Sequence, residues 1–193
     1  IFISELGSMI GKDFKFKVIK NFLTKEEIPM LQMYCDIQHR TFNQYPNKQI
    51  EGMHLTSIYG DPLIDTLSIL KKPLMEKETG KKLKESYSYW RMYVHGSELH
   101  KHKDRPSCEI SVTLNIGSDG TDWPIYMDGT PLVLNPGDAG VYLGCDVLHW
   151  RDEFFGDWSA QAFLHYVDAD GPNKDYAMDG RHSFGQVYSK INK

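Results

Sequence analysis

Two histidines and one aspartate in this sequence are of the right types and spacing to bind a divalent metal ion together. His102 and Asp104 are separated by one residue, and His149 follows much later in the chain. Neutral imidazoles and one carboxylate suit a borderline ion such as Fe(II) and leave one unit of positive charge on the site. Three protein ligands also leave coordination positions open, so the pattern predicts a reactive metal centre rather than a closed structural one.

The same residues have ordinary explanations as well. The run from His100 to Arg105 is rich in charge, as a solvated surface loop would be, and a short motif of this kind arises often by chance. His149 lies next to Trp150 and is also compatible with a buried histidine of purely structural role. The surroundings favour the metal site, because predicted strands lie on both sides of the first pair and His149 lies within a later strand.

Arg151 extends this prediction to a second ligand. Residues two positions apart in a strand share a face, so Arg151 points the same way as His149, about 6–7 Å further along. A five-carbon dicarboxylate that chelates the metal at one end would place its second carboxylate near this distance. A guanidinium suits such a carboxylate because it donates two parallel hydrogen bonds. The alternative for Arg151 is a surface ion pair with Asp152 or Glu153.

The N-terminal part of the chain predicts a strand followed by a helix. Residues 14–22 are typical of a short strand. Thr24–Glu27 forms a capping box, which places the start of a helix there. That helix carries apolar residues at helical spacing on one face, a pattern that indicates plain core packing, at Ile28, Leu31, Tyr34 and Cys35.

A second helix is predicted after an irregular stretch over 41–60. Such a stretch is typical of a lid or binding loop, and equally of plain surface covering. Asp61 is an N-cap and Pro62 occupies the first turn. Pro73 is expected to kink or divide this helix, and Gly80 to end it.

After Gly80 the pattern changes to short strands of alternating character. Turn sequences at Asp128–Gly129 and Pro136–Asp138 separate the apolar runs. Helices followed by regularly spaced strands indicate an α+β protein with its strands in a sandwich or barrel. The predicted strands cover 86–94, 108–116, 139–143, 146–151 and 158–167.

Composition narrows the class of protein further. The chain has 193 residues, which is enough for one domain with a sizeable core. Its formal net charge of -4 argues against a protein that coats nucleic acid, and no apolar run approaches a membrane span. No secretory leader is expected. The three cysteines are widely spaced and are interpreted as reduced thiols of a cytoplasmic protein.

Residues 89–167 resemble the catalytic core of the 2-oxoglutarate/Fe(II)-dependent dioxygenases, and within them the prolyl-hydroxylase-like branch. Residues 91–96 followed by His102 and Asp104 are similar to that branch's strand and glycine loop leading into the metal motif. Residues 113–115 are similar to its next strand, and 134–139 to the turn before the strand with the distal histidine. Residues 17–23 with their capping box also resemble its usual opening, so the resemblance covers most of the chain.

The resemblance implies a fold and an activity. It implies a double-stranded β-helix (jelly-roll) core with the N-terminal helices packed on one sheet. The single domain would span 1–193, with a strand and helices over 1–85, the catalytic β core over 86–167 and a tail over 168–193. The implied cofactors are Fe(II), 2-oxoglutarate and O2. The implied reaction is hydroxylation of an unactivated C–H bond of a small molecule or peptide, with release of succinate and CO2.

The resemblance also carries over individual residues. His102, Asp104 and His149 match the iron ligands, and Tyr93 and Thr113 match positions that contact 2-oxoglutarate. The family usually has a basic residue on its last core strand, whereas residues 156–161 here contain neither arginine nor lysine. Arg151 is therefore the predicted partner of the distal carboxylate on the geometric argument above, with Arg91 and Arg105 as the next candidates.

Two other functions remain open from the sequence. A cupin-type metalloenzyme shares the barrel, and Gly96, His100, His102 and Glu109 loosely echo its motif, although the spacing departs from it. A non-catalytic jelly-roll module that binds sugars or a protein is the other, for which the aromatic candidates are Trp123, Tyr126 and Trp158. Consumption of 2-oxoglutarate in air distinguishes the predicted oxygenase from a binding module.

Overall fold

The computed structural model describes residues 14–44 and 56–185. The backbone of this part forms two α-helices, two 3-10 helices and ten strands. The helices are α1 (Glu27–Gln44) and α2 (Pro62–Thr79), and the 3-10 helices are Pro106–Cys108 and Lys174–Gly180. The strands are β1 (Phe16–Ile19), β2 (Ser57–Tyr59), β3 (Leu83–Val94), β4 (Leu99–His102), β5 (Ile110–Ser118), β6 (Ile125–Met127), β7 (Thr130–Leu132), β8 (Ala139–Leu143), β9 (His149–Arg151) and β10 (Trp158–Asp168).

Both α-helices begin where the sequence predicts. In the capping box before α1, Glu27 N–H donates to Thr24 Oγ1 (3.2 Å) and Thr24 N–H donates to Glu27 Oε2 (2.7 Å). Before α2, the Asp61 carboxylate accepts a hydrogen bond from the backbone N–H of Leu63 (2.9 Å). Gly80 ends α2 in the left-handed conformation, with φ of 67°.

The strands form two antiparallel sheets. The six-stranded sheet has the order β1-β8-β5-β10-β3-β2, and the four-stranded sheet has the order β4-β9-β6-β7. Strands that are consecutive in the chain, such as β3 and β4 or β8 and β9, lie in different sheets. The α+β class with antiparallel sheets is therefore confirmed.

One face of the six-stranded sheet is apolar and is covered by the helices. Helix α1 contacts β5, and α2 contacts β3 and β10. The N-terminal helices thus pack on one sheet, as expected. The apolar residues of this face include Ile110, Val112, Leu114 and Ile116 on β5 and Ala160, Ala162, Leu164 and Tyr166 on β10.

The other face of this sheet meets the four-stranded sheet, and we call it the inner face. Arg151 on β9 donates from Nη2 to Gln161 Oε1 on β10 (3.2 Å), and the His149 ring lies 4.7 Å from the ring of Tyr142 on β8. Because side chains alternate along a strand, the inner face carries the residues between the apolar ones. The polar members are Ser111, Thr113 and Asn115 on β5 and Ser159, Gln161 and His165 on β10.

The structure corrects several details of the predicted elements. Strands β2, β4, β6 and β7 lie outside the predicted ranges, because three or four residues carry little signal until a neighbouring strand supplies their hydrogen bonds. Strand β5 begins at Ile110 and not at Cys108, which ends a 3-10 helix. Pro73 does not divide α2, since Leu67 before it and Met75 after it are buried in the same core.

Two predicted irregular segments are only partly described. Of the stretch 41–60, residues 41–44 belong to α1 and 57–59 to β2, while 45–55 lie outside the described residues. Of the tail from 168, residues up to 185 are described. Among the helices that the structure describes, none is both long and apolar enough to cross a membrane.

Candidate active site

His102, Asp104 and His149 come together at one end of the inner face. His102 on β4 and His149 on β9 are paired across the four-stranded sheet, and Asp104 follows β4 by two residues. Asp104 Oδ1 lies 3.5 Å from His102 Nε2 and 3.6 Å from His149 Nε2. One ligand atom from each residue lies within 4.8 Å of the other two. With metal–ligand bonds of about 2.0–2.2 Å, these separations suit a single ion bound on one face.

Both histidines present the same nitrogen to this site. His102 Nδ1 lies 2.7 Å from the backbone carbonyl of His100, and His149 Nδ1 lies 2.9 Å from that of Val147. A carbonyl only accepts hydrogen bonds, so in the neutral form of each ring Nδ1 carries the proton and Nε2 keeps a lone pair. The backbone thus fixes the tautomer that a metal ion requires, and it does so before any ion binds.

The carboxylate is held by a hydrogen-bonded chain behind it. Ser111 Oγ lies 3.0 Å from Asp104 Oδ2 and 2.9 Å from His165 Nδ1. A buried neutral imidazole that donates to Ser111 lets the serine hydroxyl donate to the carboxylate. Burial lowers the pKa of His165 to about 4, which keeps this histidine neutral near pH 7.

Gly144 leaves the space that this carboxylate fills. A Cβ atom at Gly144 would lie 2.1 Å from the carbonyl oxygen of Cys108 and 2.5 Å from Asp104 Oδ2. The Gly144 carbonyl also accepts a hydrogen bond from the Asp104 N–H (2.8 Å). Any larger residue would therefore displace either the backbone or the carboxylate.

The electrostatics of Asp104 and His149 match a metal site at neutral pH, whereas Asp104 favours the protonated form of His102, which must lose that proton when an ion binds. Burial acts to raise the pKa of Asp104, but the hydrogen bond from His102 and the neighbouring His165 and His149 outweigh it, so the pKa is lowered. Burial lowers the pKa of His149, while the hydrogen bond with Asp104 raises that of His102. An ionised carboxylate beside neutral imidazole is the form that binds a divalent ion.

A cavity of about 150 Å³ opens in front of the three candidate metal ligands, and we call it the metal-side cavity. Its walls are mostly aromatic, and Tyr93, one of the predicted cosubstrate contacts, is among them. Arg91 is the arginine in this lining, and its guanidinium carbon lies 4.6 Å from the centre of the Tyr93 ring. The other aromatic side chains of the wall are Tyr87, Tyr89, Tyr142 and Phe163.

Arg151 is buried on the inner face, as its spacing from His149 predicts, but it lines a second cavity of about 130 Å³. Its Nη1 donates to the carbonyl oxygen of Trp123 (2.5 Å) and its Nη2 to Gln161 Oε1 (3.2 Å). Its guanidinium also stacks 4.7 Å from the Trp123 ring. The predicted alternative, a surface ion pair with Asp152 or Glu153, is wrong, since the side chain points inward.

Several buried polar atoms of the inner face have no hydrogen-bond partner among the described residues. The Nε atoms of Arg91 and Arg151 are two of them, and Thr113 Oγ1 and Asn115 Oδ1 are the others. Buried polar atoms are nearly always paired in native proteins. Four such atoms on one face are available to hydrogen-bond a polar ligand or water.

Arg105, the third predicted candidate for the cosubstrate carboxylate, already has a carboxylate partner. Its Nη1 and Nη2 lie 2.5 and 2.6 Å from the two carboxylate oxygens of Asp179, and Ser107 Oγ donates to the same carboxylate. This arginine ties the C-terminal 3-10 helix to the loop after Asp104. It is not available to a ligand without breaking that pair.

Two of the cupin-like residues, His100 and Glu109, do not join the metal ligands. The His100 side chain is 85% exposed and lies 3.2 Å from Glu98 Oε1. Glu109 Oε2 accepts a hydrogen bond from the backbone N–H of Asp168. The aromatic candidates for a binding module have internal roles too, since Trp123 packs on Arg151 and Tyr93.

The sequence did not single out Ser111, His165, Tyr142 or Gly144 as site residues. The strand alternation did contain a signal for the first two, because Ser111 has the same parity as Thr113 and His165 the same parity as Gln161. Nothing in the sequence marks Gly144, whose role depends on a contact between separate turns.

Comparisons with known proteins bear on the fold. No protein-family model and no curated protein matches the sequence. Among solved structures, the chain is similar to EctD from S. alaskensis with 2-oxoglutarate and 5-hydroxyectoine, at a TM-score of 0.64 and 12% identity over 80% of this chain and 72% of that one. HygX from Streptomyces hygroscopicus with nickel and 2-oxoglutarate gives a TM-score of 0.63 and 10% identity over 81% and 83%.

A third similar structure extends over nearly the whole chain. SnoK, a non-heme alpha ketoglutarate dependent carbocyclase from nogalamycin biosynthesis, gives a TM-score of 0.67 and 10% identity over 95% of each chain. A likeness at such low identity establishes the fold and leaves the reaction to the site itself. The chain therefore has the fold shared by EctD, HygX and SnoK.

Proposed function

We propose that this protein is an Fe(II)- and 2-oxoglutarate-dependent oxygenase whose iron ligands are His102, Asp104 and His149. The observation that carries the proposal is the convergence of these three side chains, with both Nδ1 atoms committed to backbone carbonyls. Two imidazoles and a carboxylate on one face, with other positions open, are the donor set of non-haem Fe(II) oxygenases. The donor set therefore fits the metal.

We further propose that the core is a double-stranded β-helix of the prolyl-hydroxylase-like branch, within a single domain over 1–193. In support, consecutive strands alternate between the two sheets from β3 to β6 and from β7 to β10. The motif over 91–96 contributes Arg91 and Tyr93 to the cavity in front of the metal ligands, and the turn over 134–139 contributes Leu134, Asn135 and Pro136 to the cavity of Arg151.

Arg151 is the proposed partner of the distal carboxylate of 2-oxoglutarate. It is a buried cation, and none of the ion pairs between described residues includes it. Burial lowers the pKa of its guanidinium to about 10, because desolvation disfavours the charged form. A buried charge without a counterion is costly, so an anionic ligand is expected beside it.

The side chains between the metal ligands and Arg151 fit the rest of this cosubstrate. Along β5, Ser111 contacts Asp104, Asn115 lines the cavity of Arg151, and Thr113 lies between them. The unpaired Thr113 hydroxyl can therefore hydrogen-bond a ligand that spans from the metal to Arg151. Tyr93, in the wall of the metal-side cavity, is the second proposed contact.

When bound, Fe(II) would use O2 to oxidise 2-oxoglutarate to succinate and CO2 and to hydroxylate an unactivated C–H bond of the substrate. The protein's own contribution is to fix the ligand geometry and to compensate charge. Its mostly aromatic wall also limits the access of water to the site. We propose a small-molecule or peptide substrate and no nucleic-acid partner. A cytoplasmic location is proposed because Cys35, Cys108 and Cys145 are all free thiols.

The experiment combines binding with turnover. Ni(II)-loaded protein is titrated with 2-oxoglutarate by calorimetry, and Fe(II)-loaded protein is assayed in air for succinate. We expect 2-oxoglutarate to bind only when metal is present, and succinate to form only with Fe(II). His149→Ala should abolish both signals, while the control His100→Ala, which alters an exposed histidine of the same loop, should retain them. Metal-loaded wild-type protein that fails to bind 2-oxoglutarate would overturn the proposal.

A further inference from the structure

We infer that Arg91 binds a carboxylate group of the primary substrate, which makes that substrate an organic acid with an apolar or aromatic body. This inference rests on the proposed oxygenase function and names the substrate class of the same site.

The position of Arg91 is the first argument. It lies on the inner face of β3 and lines the same cavity as the three metal ligands. Its guanidinium is held over the Tyr93 ring at 4.6 Å, which limits its freedom before any ligand binds. Its Nε is buried and has no hydrogen-bond partner among the described residues. A positioned cation that forms no ion pair with a described residue, next to the candidate metal ligands, is suited to binding an anion.

Charge balance is the second argument. The Asp104 carboxylate and the two carboxylates of 2-oxoglutarate bring three negative charges to the site. A divalent ion and Arg151 bring three positive charges. Among the residues that line the metal-side cavity, Asp104 is the carboxylate. The charge of Arg91 is therefore left uncompensated once the cosubstrate is bound, and a single carboxylate on the substrate balances it.

Arg151 and Arg91 differ in solvent exposure, as separate roles in binding the cosubstrate and the substrate require. Arg151 is 3% exposed, so its anion must be a ligand that enters fully between the sheets. Arg91 is only half-buried and lies in the wall of the cavity that contains the metal ligands. A substrate that approaches after the cosubstrate can reach Arg91 without displacing it from Arg151.

The remainder of the cavity wall defines the body of the substrate. Tyr89 and Phe163 pack together with ring centres 5.9 Å apart, and Leu99 also lines the cavity. Aromatic and aliphatic walls with a few placed polar groups bind an apolar body and orient it through the charged end. The carboxylate at Arg91 would thus hold the rest of the molecule next to the metal ligands.

The first experiment separates the roles of the two arginines. Ni(II)-loaded wild-type protein, Arg91→Gln and Arg151→Gln are each titrated with 2-oxoglutarate by calorimetry. We expect Arg91→Gln to bind it within about threefold of wild type, and Arg151→Gln about 100-fold more weakly. Loss of 2-oxoglutarate binding in Arg91→Gln would overturn the inference, because Arg91 would then hold the cosubstrate. Wild-type protein that binds no 2-oxoglutarate would instead contradict the proposed function itself.

The second experiment uses a matched acid and amide as probes. Binding of 3-phenylpropionate and 3-phenylpropionamide to the Ni(II)–2-oxoglutarate complex is followed by ligand-observed NMR. We expect the acid to bind and the amide not to, and Arg91→Gln to weaken acid binding at least tenfold, with partial recovery in Arg91→Lys. Arg40→Gln, which removes an exposed arginine paired with Asp36, is the charge-matched control and should bind the acid as wild type does.

Each contrary outcome of the second experiment rejects the inference. If wild-type protein binds neither probe, the cavity does not recognise a carboxylate of this class. If Arg91→Gln binds the acid as tightly as wild type, the anion is held by another residue. If acid and amide bind equally, the cavity recognises the apolar body alone.

Discussion

The two ends of the inner face differ in how completely their polar groups are paired. At the end that we call the metal-ligand end, the side chains of His102, Asp104 and His149 are each fixed by a hydrogen bond to the protein. At the other end, which we call the cation end, Arg151 and Asn115 each retain a buried polar atom without a partner in the described part of the chain.

This difference indicates two kinds of ligand. A metal ion that stays bound needs ligands in fixed tautomers and orientations, which the backbone carbonyls and Ser111 provide in advance. A cosubstrate that enters and leaves in every cycle must supply hydrogen bonds that the empty protein lacks. Leaving a buried polar atom unpaired costs about 1–3 kcal/mol, and a ligand that pairs it recovers that free energy as affinity.

The largest expected effect comes from removing a metal ligand. His102→Ala, Asp104→Ala and His149→Ala should each weaken Fe(II) binding by more than about 100-fold, since even the loss of an outer hydrogen-bond partner costs about 10–100-fold. Iron stoichiometry by metal analysis measures this, with circular dichroism to show that the variants remain folded. Full iron occupancy in any one variant would remove that residue from the ligand set.

At the cation end, Arg151→Leu should act on the cosubstrate and not on the metal. Removing one partner of a buried charge pair costs about 2–5 kcal/mol, so 2-oxoglutarate should bind at least about 30-fold more weakly. Arg151→Lys should recover part of the loss, because a point charge cannot make the two parallel hydrogen bonds. Calorimetry on Ni(II)-loaded protein measures both, and Fe(II) stoichiometry should stay as in wild type. Unchanged 2-oxoglutarate affinity in Arg151→Leu would transfer the role to Arg91.

The two ends should also respond differently to acid. The pKa of His165 is lowered from 6.5 to about 4 by burial, so the unfolded chain takes up a proton at a higher pH than the folded protein does. The contribution of neutral His165 to the free energy of unfolding is fully present above about pH 6.5 and is lost as the pH falls towards 4. The loss amounts to about 3 kcal/mol, from about 1.4 kcal/mol per pKa unit.

Urea unfolding of the metal-free protein between pH 7 and pH 4.5 measures this dependence. His165→Gln removes the titrating group at the metal-ligand end and should flatten the curve. Asn115→Ser, at the cation end, should leave its slope unchanged, since neither side chain is titratable in this range. Equal slopes for wild type and His165→Gln would assign the acid sensitivity to other groups.

The smallest effect is expected for the residue that holds the carboxylate in place. Ser111→Ala removes the hydrogen bond to Asp104 Oδ2 but no metal ligand, so Fe(II) affinity should fall about tenfold. Thr113→Val, two residues along the same strand face, is the matched control and should weaken 2-oxoglutarate and not the metal. A metal affinity that falls equally in both variants would mean that the two ends are not separate.

The sequence identified the residues whose chemistry is unusual in themselves. His102, Asp104 and His149 were found from residue type and from the predicted strands around them, and the structure brings their ligand atoms within 4.8 Å. The capping box before α1, the Asp61 N-cap before α2 and the alternating strands were also predicted, because each is encoded by neighbouring residues. Strand β4 was missed although it contains His102, since its four residues become a strand only by pairing with β9.

What the sequence by itself determined is local: the helix starts, the strand faces and the candidate metal ligands. Tertiary structure alone decided that Arg91 lines the metal-side cavity while Arg151 lines another, and that Gly144 must be small to leave room for Asp104. The physical reason is that hydrogen-bond direction and side-chain alternation are set by adjacent residues. Cavity shape and close packing instead depend on segments far apart in the chain, whose approach is fixed only when the two sheets come together.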